Sequence, residues 1–147
     1  MNVLIINCGS SSQTFGVYRV AAGHEPVAVI SGKARNVATA TQQTPYVEWT
    51  WSGRGERREC DLSTHARAAE MILSIVQERA PVIGAVGHRF VHGGTEFSRT
   101  ARIDDAALAA LRRTVPLAPI HNPNSPAGRP NRLQRPTKEF VGPMRGE

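Results

Sequence analysis

Cysteine is scarce in this chain. Only Cys8 and Cys60 occur among 147 residues, far apart and without the Cys/His spacing of a zinc site, so two reduced thiols are expected rather than a disulfide or a metal centre. Long apolar runs are also missing. Stretches such as Val3 to Ile6 and Val27 to Ile30 fall far short of the ~20 residues of a membrane helix. The opening Met-Asn-Val-Leu-Ile-Ile-Asn has no basic n-region and no small-residue cleavage site, so no signal peptide is expected and the expected setting is cytoplasmic. The P-loop pattern G-x-x-x-x-G-K-[ST] is absent. Acidic residues are outnumbered, 12 against 18 basic ones, giving a formal charge of +6. Half of that excess sits beyond Gly128, and no aromatic or groove-reading motif accompanies those arginines, so neither nucleic acid nor a membrane is the expected partner. What is there, 40% hydrophobic and 20% charged residues, suits one globular domain with a true core.

Val3 to Ile6 reads as a buried strand ending in turn formers, Asn7-Cys8-Gly9-Ser10-Ser11-Ser12. A second strand is expected from about Thr14 to Val20, with Phe15 and Val17 on one face, so the two form a hairpin with a small polar tip. Pro26 to Ser31 reads as a third strand. In a fourth, Val47, Trp49 and Trp51 alternate with Tyr46, Glu48 and Thr50. Ser52 to Arg58 is polar and reads as a loop. Ser63 or Thr64 caps a helix to about Arg79 whose inner face is Ala68, Met71, Ile72, Ile75 and Val76. Pro81 blocks its continuation, and Val82 to Val86 supplies another short buried strand. Asp104 or Asp105 caps a second helix ending near Arg113, with Leu108 and Leu111 facing inward. Strand, helix and strand in this order indicate a mixed α/β domain. Seven of the ten prolines fall between Pro116 and Pro143, and after Gly128 no apolar period survives, so the tail is expected to lack structure of its own.

Three segments carry chemistry. The loop Asn7 to Ser12 offers amides, three hydroxyls and a carboxamide at the carboxyl end of a strand, groups suited to phosphate oxygens and hydrated Mg²⁺. Taken alone, the signal is weak, because Gly-Ser clusters are mostly ordinary polar turns. Gly87-His88-Arg89-Phe90-Val91-His92-Gly93-Gly94 leaves a buried strand, and its arginine can pair in two-pronged fashion with a carboxylate or phosphate. The two histidines lack the Glu of a metalloprotease pattern, so structural hydrogen bonds are expected of them. In Ala118-Pro119-Ile120-His121-Asn122-Pro123 two prolines hold a His-Asn pair in a non-helical turn, structural or catalytic.

In order and spacing these segments resemble the acetate kinase family, with its propionate and butyrate kinase relatives. Asn7 to Ser12 is similar to the family's Asn-x-Gly-Ser-Ser-Ser signature, Gly87 to Gly94 to its Gly-His-Arg-x-x-His-Gly-Gly stretch, and Ala118 to Pro123 to its Ala-Pro-Leu-His-Asn-Pro stretch. The resemblance covers Met1 to about Gly128. It implies a ribonuclease-H-like α/β fold of the actin, sugar kinase and heat-shock ATPase group, of which this chain holds an incomplete first domain. It also implies reversible phosphoryl transfer from ATP to acetate, giving acetyl phosphate and ADP, with Mg²⁺ as cofactor and a homodimeric family assembly. Carried over by position, Asn7 helps place Mg²⁺, and Ser10 and Ser12 lie along the transferred phosphoryl group. Arg89 pairs with the acetate carboxylate or acyl phosphate, Val91 lines the methyl pocket, and His121 sits beside it. Thr14 stands where the family has an ATP-linked lysine, in Ser12-Gln13-Thr14-Phe15 against Ser-Leu-Lys-Phe.

Residues 129–147 do not resemble the family and read as the product of a shifted frame or a truncated gene. The family's later segments, among them Asp-Thr-Ala-Phe-His, an adenosine-binding Gly-rich stretch and a metal-linked Glu, are not in this sequence. The isolated chain is therefore expected to have little or no kinase activity. The alternatives are a noncatalytic phosphate-binding or interaction module and a kinase for propionate or butyrate.

Overall fold

The computed structural model describes residues 1–80, 82–90, 100–113 and 138–143. Its elements in chain order are β1 (Asn2–Cys8), β2 (Ser12–Arg19), β3 (Val27–Arg35), β4 (Tyr46–Trp51), β5 (Arg54–Glu59), α1 (His65–Arg79), β6 (Ala85–Phe90), β7 (Ala101–Arg102), α2 (Asp105–Arg113) and β8 (Lys138–Pro143). Among the described residues the strands form one eight-stranded sheet in the order β5-β4-β3-β2-β1-β6-β8-β7. Strands β1 to β5 are an antiparallel meander. The chain then crosses through α1 and returns to lay β6 parallel to β1, with Asn7 opposite Arg89.

One face of the sheet is apolar because the strand period of two places Leu4, Ile6 and Cys8 of β1, Phe15 and Val17 of β2, Val47 and Trp49 of β4 and Val86 of β6 in the core. Helix α1 covers that face with Ala68, Ile72, Ile75 and Val76, each fully buried. Burying an Ile or Val of this kind contributes roughly 1.5–3 kcal/mol. The helix starts where the sequence indicates: Thr64 is extended, and its side chain accepts from the Arg67 amide at 3.2 Å. Asp104 caps α2 likewise, its Oδ1 accepting from the Ala107 amide at 2.8 Å. Gly32 lies beneath the Phe15 ring, and a Cβ there would sit 2.5 Å from Phe15 Cε1 and 2.6 Å from the Glu48 carbonyl oxygen.

Several expectations are corrected. Ser52 to Arg58 is not a loop. Ser52 and Gly53 both take positive φ, 49° and 74°, the conformation of a two-residue hairpin turn, and β5 follows. Its polar composition is that of an exposed edge strand, which needs no apolar alternation. Strand β6 begins at Ala85 rather than Val82, which is 75% exposed. Within the tail expected to be structureless, Lys138–Pro143 lie parallel to β6 as β8, a pairing between distant segments that leaves no local period. The expected block at Pro81 lies outside the described residues.

Candidate functional site

β1, an interior strand, carries Asn7 near its carboxyl end, and the chain turns back through Gly9, Ser10 and Ser11 into β2. The turn is tight: the Gly9 amide donates to the Ser12 carbonyl at 2.7 Å, and a Cβ on Gly9 would approach that oxygen to 3.3 Å. It is anchored from two other elements. The Val37 amide, just past β3, donates to the Ser11 carbonyl at 2.9 Å. The first residue of α1, His65, brings Nε2 within 2.9 Å of the Gly9 carbonyl oxygen. Gln13, wholly buried beside the loop, donates from Nε2 to the His65 carbonyl at 3.0 Å. Ser10 and Ser11 are exposed and Ser12 half-buried.

The cross-strand register completes the arrangement. Asn7 is paired with Thr14 of β2 on one side and with Arg89 of β6 on the other, and Thr14 is paired with Lys33 of β3. Residues in register share a face, so Lys33, Thr14, Asn7 and Arg89 form a row on the face turned away from α1. Thr14 and Arg89 are exposed, and Asn7 and Lys33 half-buried. A carboxamide, a hydroxyl and two cations thus stand next to a loop of three serines, and Glu48, next in register beyond Lys33, is paired with Arg35. Such a surface favours an anion.

Buried groups behind this row are inert. His88 lies on the α1 face at 5% exposure, and burial pushes its imidazole down to about 4. The structural hydrogen bond expected of it is not found at Nδ1, which has no partner among the described residues. Cys8 is a free buried thiol pushed up to about 12 by burial. Cys60 is also free and also raised, first by burial. Neither is a poised nucleophile.

Asn7, Ser10, Ser12, Thr14 and Arg89 are therefore brought together, whereas Val91 and His121 lie outside the described residues. His65 and Gln13 were not anticipated. A signal existed for Gln13, since the period that buries Phe15 and Val17 buries it too, and a buried amide requires a partner.

The acetokinase family model matches residues 2–132. The chain belongs to the acetokinase family. It is 36% identical over 123 residues to the acetate kinase of Pseudomonas aeruginosa (strain LESB58), an alignment covering 83% of this chain and 30% of that protein. The crystal structure of Porphyromonas gingivalis acetate kinase superposes with a TM-score of 0.81 at 28% identity, covering 97% of this chain and 37% of that one. A propionate kinase from Francisella tularensis gives a TM-score of 0.77 at 25% identity, covering 97% and 36%. The ribonuclease-H-like α/β fold class expected for the acetokinase family is the one found. This member spans about 30% of the length of the curated relatives it matches.

Proposed function

We propose that this acetokinase-family chain contributes the phosphoryl and acyl side of a kinase that transfers a phosphoryl group reversibly between ATP and acetate, giving acetyl phosphate and ADP. The observation that carries the reading is the register of Asn7 between Thr14 and Arg89 at the mouth of the serine loop. Acetate is the preferred acceptor because the curated relatives are acetate kinases.

In this reading the Arg89 guanidinium pairs with the acetate carboxylate and holds one oxygen toward phosphorus. That oxygen forms the new bond to phosphorus as the bond to the ADP oxygen breaks, and the leaving electron pair stays on ADP. Acetate is already ionised at neutral pH, so no general base is needed. Ser10 and Ser12 donate hydrogen bonds to the equatorial oxygens, where charge gathers in a loose transition state. Val91 lines the space for the methyl group and His121 flanks it, as the family resemblance implies.

Among the described residues no group of three or more His, Cys, Asp or Glu side chains is placed to hold a metal. Asn7 supplies one neutral oxygen, a donor that suits Mg²⁺ arriving on ATP phosphates with its waters rather than an ion caged by protein. When bound, Mg²⁺ neutralises phosphate charge. Thr14 offers a hydroxyl to the same phosphates. The 147-residue polypeptide by itself is expected to turn over little, because one wall of a cleft cannot orient ATP and acetate together.

The test is acetyl phosphate titrated into the purified chain and followed by amide resonances. Shifts at Asn7, Ser10 and Arg89, lost in Arg89→Ala, support the assignment. Equal binding by Arg89→Ala overturns it. Hydroxamate trapping with ATP, Mg²⁺ and acetate checks turnover, and a rate matching that of a whole acetate kinase refutes the expected inactivity.

A further inference from the structure

The strand that carries Arg89 is held unevenly by its two neighbours. β6 lies between β1 and β8, and on the β1 side its register ends at Arg89, opposite Asn7. On the β8 side the pairing runs the whole length of β6, from Ala85 opposite Lys138 to Phe90 opposite Pro143. Among the described residues, the carboxyl end of β6 is therefore held by β8 alone. β8 is braced in turn by β7, with Val141 opposite Ala101 and Phe140 opposite Arg102, and β7 joins the sheet only through β8. The register partner of Arg89 on β8 is Gly142, so β8 places no side chain at that position of the row. Lys138–Pro143 also lie beyond the family match, which ends at residue 132. A segment outside the family pattern thus takes the sheet position next to the arginine of the anion-favouring row.

We propose that β8 is a positioning strand for Arg89, which makes β6 an interior strand and so holds the arginine in the direction that pairing with an acyl phosphate requires. The inference rests on the phosphoryl-transfer reading above and extends it to a part of the chain that the family match does not reach. Without β8, the backbone N–H and C=O groups of β6 that point away from β1 have no strand to pair with, and a strand end held from one side opens readily. Two-pronged pairing depends on the direction of the guanidinium, and a displacement of about 1 Å costs on the order of 100-fold where geometry must be fixed. β8 needs no reactive side chain for this role, because its contribution is backbone pairing.

The experiment uses the full 147-residue chain with acetyl phosphate as probe. Consecutive strand residues direct their amides to opposite neighbours, so combining Phe140→Pro with Val141→Pro removes the donor that faces β6, whichever of the two supplies it. Hydrogen exchange along Ala85–Phe90 is expected to be slow in the parent and faster in the double proline variant, with the amides of α1 still protected. Acetyl phosphate affinity, read at the Arg89 amide, should then fall about tenfold, the scale of one lost hydrogen bond to a charged group. Phe140→Tyr with Val141→Ile keeps both donors and should retain the parent affinity. Affinity within about twofold of the parent once β6 exchange has accelerated overturns the positioning role, as does β6 exchange that the prolines leave unchanged. So does a parent in which the β6 amides exchange as freely as those of an unpaired edge, a result that needs no variant to fold. A parent that does not bind acetyl phosphate at Arg89 overturns the phosphoryl-transfer reading and the positioning role with it, whereas binding indifferent to the loss of β8 removes the positioning role alone.

Discussion

Acidification from pH 7 to pH 5 is expected to destabilise this domain through a single histidine. His88 is held in the core and burial pushes its imidazole down to about 4, whereas in an unfolded chain it titrates near 6.5. Between those values the unfolded state binds a proton that the folded state does not. Stability is therefore complete above pH 6.5 and is lost progressively as pH falls toward 4. Working the two titrations through gives a loss of about 2 kcal/mol on going from pH 7 to pH 5, and about 3 kcal/mol below pH 4. Asp61 and Glu78, whose carboxyls are held below the ordinary range chiefly by hydrogen bonds from Ser63 and Arg58 respectively, lose their contribution only at lower pH. The assay is urea unfolding at pH 7 and pH 5 followed by the fluorescence of Trp49, which is 4% exposed. For a domain of this size the midpoint should fall by about 1 M urea. His88→Gln should flatten the dependence, since glutamine does not titrate. A parent midpoint that does not move, or a slope that persists unchanged in His88→Gln, refutes the assignment.

Three further outcomes follow from the packing. Ile72→Ala, at a fully buried position of α1, should cost about 2–5 kcal/mol in denaturant unfolding; a cost below 1 kcal/mol would mean that α1 does not seal the sheet. Thr64→Ala removes the acceptor for the Arg67 amide and should cost about 1 kcal/mol, with Thr64→Ser nearly neutral. Cys60 should react with a thiol reagent under native conditions much faster than Cys8, the first being half-buried and the second buried. Equal rates, read by mass spectrometry of the labelled peptides, would contradict the burial of Cys8.

Elements governed by local chemistry were legible in the sequence. The cap at Thr64 and the period from Ala68 to Val76 located α1, and the turn formers after Ile6 located the β1–β2 hairpin, though Asn7 and Cys8 belong to the strand. Edge strand β5 was missed because solvent on its outer side removes the apolar alternation that marks a strand, leaving only Ser52-Gly53 as a sign. Strand β8 was missed because parallel pairing with β6 joins residues about 50 apart and requires no local pattern. For the site, the loop and Arg89 were legible from their motifs. That Lys33, Thr14, Asn7 and Arg89 share a row was not, because it depends on three registers and on the irregularity between Val17 and Tyr18. His65 was hidden for the same reason: the helix cap fixes where it begins, not which distant carbonyl its ring meets.

The tethering of the serine loop has a thermodynamic consequence. Its carbonyls at Gly9 and Ser11 are already engaged by His65 and Val37, so the entropy of ordering that turn is lost when the domain folds and not when a ligand arrives. Affinity at the loop then becomes a remote report on the amino-terminal turn of α1. A substitution at His65 that touches no ligand should raise the dissociation constant by freeing the loop, and ligand binding should in return slow hydrogen exchange at the start of that helix.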